Sequence, residues 1–250
     1  MSVELPKVFW ELHSGFPRQG PGDNKSTKKA YMMLKDLRRN PCILDIGCGP
    51  GMQTIELAKL SHGHVVALDN HLPFLEELNK SANKEGVKDR IRTVKGDMFN
   101  LNYDNRNFDL IWSEGAIYII GFEKGLREWR RLLTENGYLV VSELSWLRPD
   151  IPKEAKAFMQ EGYPAINIIE ENLEVARNCG YQIVDSFVLP TKSWWDNYFT
   201  LIKAKIPSLK TKYSDDEEAL EVIALEELEI EMFSKYSDYY GYVFYILQNE

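Results

Sequence analysis

The sequence predicts an α/β protein built on a doubly wound, mostly parallel sheet of seven strands, with a helical insertion near the C-terminus. Three observations carry this. Short apolar runs alternate with helical patterns from Asn40 to Glu143, a glycine cluster separates the first run from the first helix, and the composition is ordinary for a soluble globular chain. That composition is 44% hydrophobic and 27% charged over 250 residues.

Cys42-Ile-Leu-Asp-Ile46 is the first strand, ending at the glycines. Gln53 to Leu60 follows with helical composition. His64 to Asp69 is a second buried strand. Leu72, Leu75, Leu78 and Ala82 recur at three- and four-residue steps, one face of a helix that Gly86 ends. Ile91 to Val94 and Phe108 to Trp112 are the third and fourth strands. Phe122 to Glu135 reads as a helix stopped by Asn136-Gly137, and Tyr138 to Ser142 as the fifth strand. Gln182 to Leu189 and Tyr242 to Leu247 are two more, placed to close the sheet as an antiparallel edge.

Two stretches fall outside that repeat. Residues 1–39 precede the first strand as a cover segment, with a turn at Arg18-Gln-Gly-Pro-Gly22 and a helix from Ser26 or Thr27. Residues 190–241 separate the last two strands by far more than a hairpin needs. They read as a helical insertion serving as a substrate lid or subunit contact. The main domain is then 40–189 with 242–250.

Charge excludes some functions. Acids number 38 against 30 bases, for a net charge of −8. Nine of the acids lie between Ser214 and Met232 with no Lys or Arg, and the rest of the chain is near neutral. Leu220, Ile223, Ala224 and Leu228 form the apolar stripe of that segment, so its acids read as a solvated outer face. Without a basic stripe, nucleic acid is not an expected partner. No apolar run approaches the ~20 residues of a membrane span. Met1 to Trp10 lacks the apolar core of a secretory signal. Three unpaired cysteines suit a reduced, cytoplasmic setting. His62 and His64 flank a glycine with no further ligand nearby, so no metal site is expected.

Asp45-Ile-Gly-Cys-Gly-Pro-Gly51 is the sharpest signal, because it lies between a strand and a helix. Glycines there permit tight turning and close approach of a ligand. The spacing is G-x-G-x-G, with Met52 where a dinucleotide loop would have its third glycine. Asp45 would repel a pyrophosphate but suit a cationic ligand. Asp69 ends the second strand beside the loop, where an acid can accept from both hydroxyls of a ribose. Gly96-Asp97 follows the third strand. Three acids at three strand ends around one glycine loop describe a nucleoside site without a phosphate clamp.

On Asp45-x-Gly47-x-Gly49-x-Gly51, Asp69, Gly96-Asp97 and Phe108-Asp109-Leu-Ile-Trp112, the chain resembles the Rossmann-like class I S-adenosylmethionine-dependent methyltransferases. Arg18-Gln-Gly-Pro-Gly22, Trp112-Ser-Glu-Gly-Ala-Ile-Tyr118 and Tyr239-Tyr-Gly-Tyr242 are similar to the small-molecule, ubiquinone/menaquinone-biosynthesis-like group. The resemblance implies S-adenosyl-L-methionine as cofactor. Gly47, Cys48, Gly49 and Gly51 would lie against its amino-acid end, Asp69 and Asn70 at the ribose, and Gly96, Asp97 and Met98 at the adenine. Ser113, Arg18 and Gln19 complete the set, with Arg18 directed at the cofactor carboxylate.

The expected reaction is methyl transfer to a small-molecule acceptor by in-line displacement. Glu114, at the end of the fourth strand, is the first candidate base, with Tyr118 and His13 behind it. Trp194, Trp195, Tyr198 and Phe199 read as a small core under the insertion, with an aromatic substrate wall as the second reading. A homodimer is a further expectation. The alternatives are an NAD-dependent dehydrogenase and a non-catalytic nucleoside-binding protein.

Overall fold

A computed structural model describes residues 6–250. Residues 1–5, the start of the cover segment and part of the stretch judged for a secretory signal, lie outside the described residues. The strands are β1 (Cys42–Ile46), β2 (His64–Asp69), β3 (Ile91–Lys95), β4 (Phe108–Glu114), β5 (Leu133–Trp146), β6 (Asn167–Ile168), β7 (Tyr181–Val188) and β8 (Tyr240–Asn249). The sheet order is β3-β2-β1-β4-β5-β8-β7, with the two-residue β6 pairing on β5. The pairs from β3 to β5 are parallel, and β8 runs antiparallel to both β5 and β7. The two strands expected to close the sheet as an antiparallel edge do so, with β7 outermost and β8 between it and β5.

The central strands are buried on both faces, so they read as near-continuous apolar runs. Leu44, Ile46, Ile111, Leu139 and Val141 pack on one side with Leu126 and Trp129 of α5 (Phe122–Arg130) and Ala176 of α7 (Ile169–Asn178). On the other side Ile43, Leu110, Trp112 and Val140 meet α3 (Met52–Ser61) and α4 (Leu72–Lys84). That face also carries α1 (Lys7–His13), α9 (Thr200–Lys212) and α10 (Glu217–Tyr236). Near the start of the chain, α2 (Asn24–Tyr31) is capped by Asp23, which accepts from Ser26 N at 2.8 Å. The remaining helices are α6 (Lys153–Gly162) and the short α8 (Thr191–Trp194), which runs through a π turn (Trp195–Phe199) into α9.

Three expectations are corrected. The helix starting at Phe122 stops at Arg130, not Glu135, because the next residues join the sheet. Arg106 N and Phe108 N donate to Arg131 O and Leu132 O at 2.9 and 3.0 Å. β5 accordingly starts at Leu133, and residues 134–137 form a bulge opposite Phe108/Leu110, with Asn136 at φ 59°. The buried stripe of α10 is Ala219, Ile223, Glu226, Ile230 and Phe233, while Leu228 is 41% exposed. One of the nine acids thus lies within the inner face of the helix.

The aromatic group 194–199 is largely core. Trp194, Tyr198 and Phe199 are buried, and Trp194 stacks on Phe233 at 3.9 Å. Among the described residues no helix is long and apolar enough to cross a membrane.

Candidate active site

The glycine loop follows β1 at the carboxyl edge of the sheet. Gly47 N and Cys48 N both donate to Leu68 O, at 2.8 and 3.0 Å, which docks the loop on the end of β2. Gly47, Gly49 and Gly51 all have positive φ, at 72°, 54° and 85°. A Cβ on Gly47 would lie 2.5 Å from Ala116 Cβ, and one on Gly51 would lie 2.2 Å from Leu78 Cδ1. These two glycines are therefore required by backbone angle and by space together. Cys48 is buried, with Sγ against Gly49 O, and burial pushes its thiol up, so it is not a nucleophile.

Asp45 is fully buried beneath the loop. Its Oδ2 accepts from Thr54 Oγ1 at 2.5 Å and Gln53 Nε2 at 3.3 Å, while Oδ1 has no partner. Burial pushes its carboxyl up to about 7, opposed by the Thr54 hydrogen bond. An unpartnered, buried carboxylate oxygen beside a glycine loop fits a cationic ligand atom. Asp69 accepts from Gly49 N through Oδ2 and from His71 N through Oδ1, both at 2.8 Å. Each carboxylate oxygen keeps a second lone pair, so both remain able to accept from ligand hydroxyls.

The other expected cofactor residues divide. Asn70 and Asp97 are exposed, and Asp97 Oδ1 caps its own turn by accepting from Phe99 N at 2.9 Å. Met98 comes to the loop, its Cε 3.7 Å from where a Gly47 Cβ would stand. Gly96 makes room for Leu68. Gln19 crosses over Gly49 and donates through Nε2 to His13 O at 3.0 Å.

Ser113 is fully buried, and its hydroxyl donates to Ile46 O at 2.9 Å. It ties β4 to β1.

Arg18 and Glu114, expected to serve the cofactor and the acceptor separately, are brought to each other. Arg18 Nη1 and Nη2 donate to Glu114 Oε2 at 2.6 and 2.5 Å, and both side chains are at most 5% exposed. Glu114 Oε1 accepts from Thr27 Oγ1 at 2.7 Å and Trp112 Nε1 at 2.8 Å. A carboxylate with three side-chain partners is occupied as an anchor, leaving no lone oxygen for a base. Tyr118 is 44% exposed, and its ring meets that of Tyr163 edge to face with centres 5.9 Å apart. His13 is buried, with Nδ1 2.9 Å from Phe9 O and Nε2 3.3 Å from Tyr198 OH.

Sequence reasoning missed Gln53 and Thr54, which hold Asp45, and Thr27, which holds Glu114. The signal available for the first pair was polar side chains in the first turn of an otherwise buried helix.

Residues 43–137 match a family profile described as "Methyltransferase domain". The chain is 25% identical over 199 residues to the sterol 24-C-methyltransferase erg-4 of Neurospora crassa, covering 74% of this chain and 52% of that one. It spans about half the length of that relative. A methyltransferase of Geobacter sulfurreducens, solved with S-adenosyl-L-homocysteine, has a similar fold (TM-score 0.84, 20% identity, 99% of this chain and 100% of that one). So does one from Thiobacillus denitrificans, also with S-adenosyl-L-homocysteine (TM-score 0.83, 21% identity, 99% and 100%). Residues 43–137 thus resemble a methyltransferase domain, and the sheet order with a glycine loop set between β1 and α3 is the fold shared with these two structures.

Proposed function

We propose that the chain binds S-adenosyl-L-methionine and transfers its methyl group to a small-molecule acceptor. The observation that carries this is the loop after β1. Its three glycines hold left-handed angles, and the unpartnered Asp45 Oδ1 lies buried beneath them. Asp45 would hold the cationic amino end of the cofactor, and Asp69 its ribose hydroxyls. Met98 and Asp97 would lie at the adenine. The cofactor supplies an activated methyl group on a sulfonium, for which orientation and exclusion of water provide much of the acceleration.

The chain's own residues do the holding. Arg18, locked on Glu114, draws the N-terminal segment over the sheet edge. Gln19 lies across Gly49. The insertion is joined to that segment: Gly22 N donates to Ser193 O, Asn197 Nδ2 to Gly22 O at 2.8 Å, and Ser193 Oγ to Asp23. Cover segment 1–39 and insertion 190–241 then act as one lid over the 40–189 and 242–250 domain, which is how we read the organisation of the chain. Glu114 serves as a positioning residue, and Tyr118 at the edge of the cleft remains the candidate to touch the acceptor.

Calorimetric titration with S-adenosyl-L-homocysteine and with NAD tests the cofactor. Binding of the former alone is expected, and strong NAD binding without it would overturn the reading. Methyl transfer to a panel of amines, thiols, phenols and quinols tests turnover. An empty panel with intact cofactor binding would favour a non-catalytic nucleoside-binding protein.

A further inference from the structure

A cavity of about 500 Å³ lies between the carboxyl end of β5, the helices α5 and α7, and residues 163–167. Its size is that of a small-molecule pocket, and in open α/β sheets ligands sit at this edge. The loop after β4 joins it to the glycine loop. Ala116 stands against Gly47 at one end of that loop, and Gly121 is in the cavity wall at the other. A 3₁₀ turn (Ile117–Ile119) fills most of the interval, so the two ends are roughly 10 Å apart.

Three side chains of the wall, Glu143, Tyr163 and Asn172, carry acceptors with their own hydrogens spent or absent. Glu143 is 2% exposed; the Tyr163 hydroxyl donates to its Oε1 at 2.5 Å, and among the described residues its Oε2 has no partner. Tyr163 has thereby used its hydrogen and keeps only lone pairs to offer. Asn172, also 2% exposed, donates through Nδ2 to Ser145 Oγ at 3.2 Å and to the Tyr245 hydroxyl at 3.1 Å. Both amide hydrogens are used, which leaves its carbonyl oxygen. Ser145 Oγ in turn donates to Glu143 O at 3.2 Å, so one hydrogen-bond network holds both residues.

The charges at the mouth are matched. Arg127 pairs with Glu123 at 2.7 Å and Lys124 with Glu128 at 3.7 Å, all four exposed. No net charge is left there to draw an anion, and a cation would enter past Lys124 and Arg127. Phe122 and Val175 add apolar wall. Such a cavity selects a ligand that donates hydrogen bonds without carrying charge, as a hydroxyl does. Buried acceptors without donors cost free energy that this ligand would recover.

We propose that this cavity binds a neutral, hydroxyl-bearing small molecule with an apolar frame, and that it holds the methyl acceptor by that hydroxylated end. The acceptor role rests on the methyl-transfer reading above; the binding itself does not.

The test is titration by nuclear magnetic resonance with benzene-1,3-dimethanol, on protein free and loaded with S-adenosyl-L-homocysteine. Three compounds keep the frame of this diol: its bis-methyl ether, which cannot donate, m-xylylenediammonium and isophthalate. The diol is expected to bind at least about tenfold more tightly than each. Glu143→Leu and Ala165→Trp, the latter at an exposed position of the wall, should each weaken the diol at least about fivefold and leave S-adenosyl-L-homocysteine binding unchanged. Circular dichroism checks folding, and Ala165→Trp decides if Glu143→Leu does not fold. No diol binding, equal or tighter binding of any of the three, displacement of the diol by S-adenosyl-L-homocysteine, or a folded Ala165→Trp with unchanged diol affinity would overturn the proposal. Ala165→Trp should also abolish methyl transfer to whichever panel compound the unaltered protein methylates, and retained turnover would overturn the acceptor role. If S-adenosyl-L-homocysteine does not bind, the methyl-transfer reading fails, and the diol comparison on ligand-free protein still decides the binding.

Discussion

At the residue scale the Arg18–Glu114 pair is the most constrained contact at the sheet edge. Its charges are buried, so removing one partner strands the other away from water. Arg18→Met should lower the unfolding free energy by about 3–5 kcal/mol, measured by urea denaturation. The double change Arg18→Met with Glu114→Leu should recover most of that loss, because no lone charge remains. The same pair explains a turn that sequence spacing alone leaves unexplained. A Cβ on Gly22 would lie 2.1 Å from Arg18 Nη1, so Gly22 is the residue that lets the guanidinium pass toward β4. Arg18 was legible as a functional candidate, but its partner was not. Nothing in a linear sequence shows that residues 96 apart will meet.

At the element scale α10 tests how helix phase is read. Ile230 is 6% exposed on the inner stripe, and Leu228 is 41% exposed outside it. Ile230→Ala should cost about 2–4 kcal/mol and Leu228→Ala no more than about 0.5 kcal/mol, compared by the same denaturation.

The stripe was misread because apolar residues occupy both sides of this helix. Counting them gives two nearly equal phases, and only the neighbouring elements choose. Glu226 sits within the chosen phase, so its charge argued for the wrong face. By contrast β1 and β2 were legible to the residue, or nearly so, since strands covered on both sides are apolar throughout and end at glycine or acid. The α5 boundary failed for a third reason. Arg131 and Leu132 have helical composition, but their carbonyls are taken by the start of β4. The acids around the glycine loop stood out because each ends a strand. Glu143 directly follows the expected end of the fifth strand, Ser142, but no glycine loop stands beside it in the sequence; in the structure β5 runs on past it to Trp146.

At the scale of the whole molecule three buried carboxyls, Asp45, Glu143 and Glu226, and the half-buried Glu229 set the pH response. Asp45, Glu143 and Glu229 are raised to about 7 and Glu226 to about 8, chiefly by burial. The native form holds protons that the unfolded chain releases at lower pH. This contribution is complete below the unfolded values near 4 and is lost as pH rises through 7 to 8. His13, whose pKa is lowered by burial, acts oppositely, since its contribution is lost as pH falls below its unfolded value. The ligand-free protein should therefore lose unfolding free energy as pH rises from about 5 to about 8, by about 1.4 kcal/mol per pH unit for each extra proton the native form holds, and level off above that range. Glu226→Gln should flatten that slope, and urea midpoints across the range would show it.

The placement of β8 has a consequence for assembly. It pairs with β5 on one side and β7 on the other, although the whole helical insertion precedes it in the chain. Until β8 docks, β7 has no neighbour and β5 keeps an open edge. A growing chain must therefore carry two sticky sheet edges through the synthesis of α8, α9 and α10.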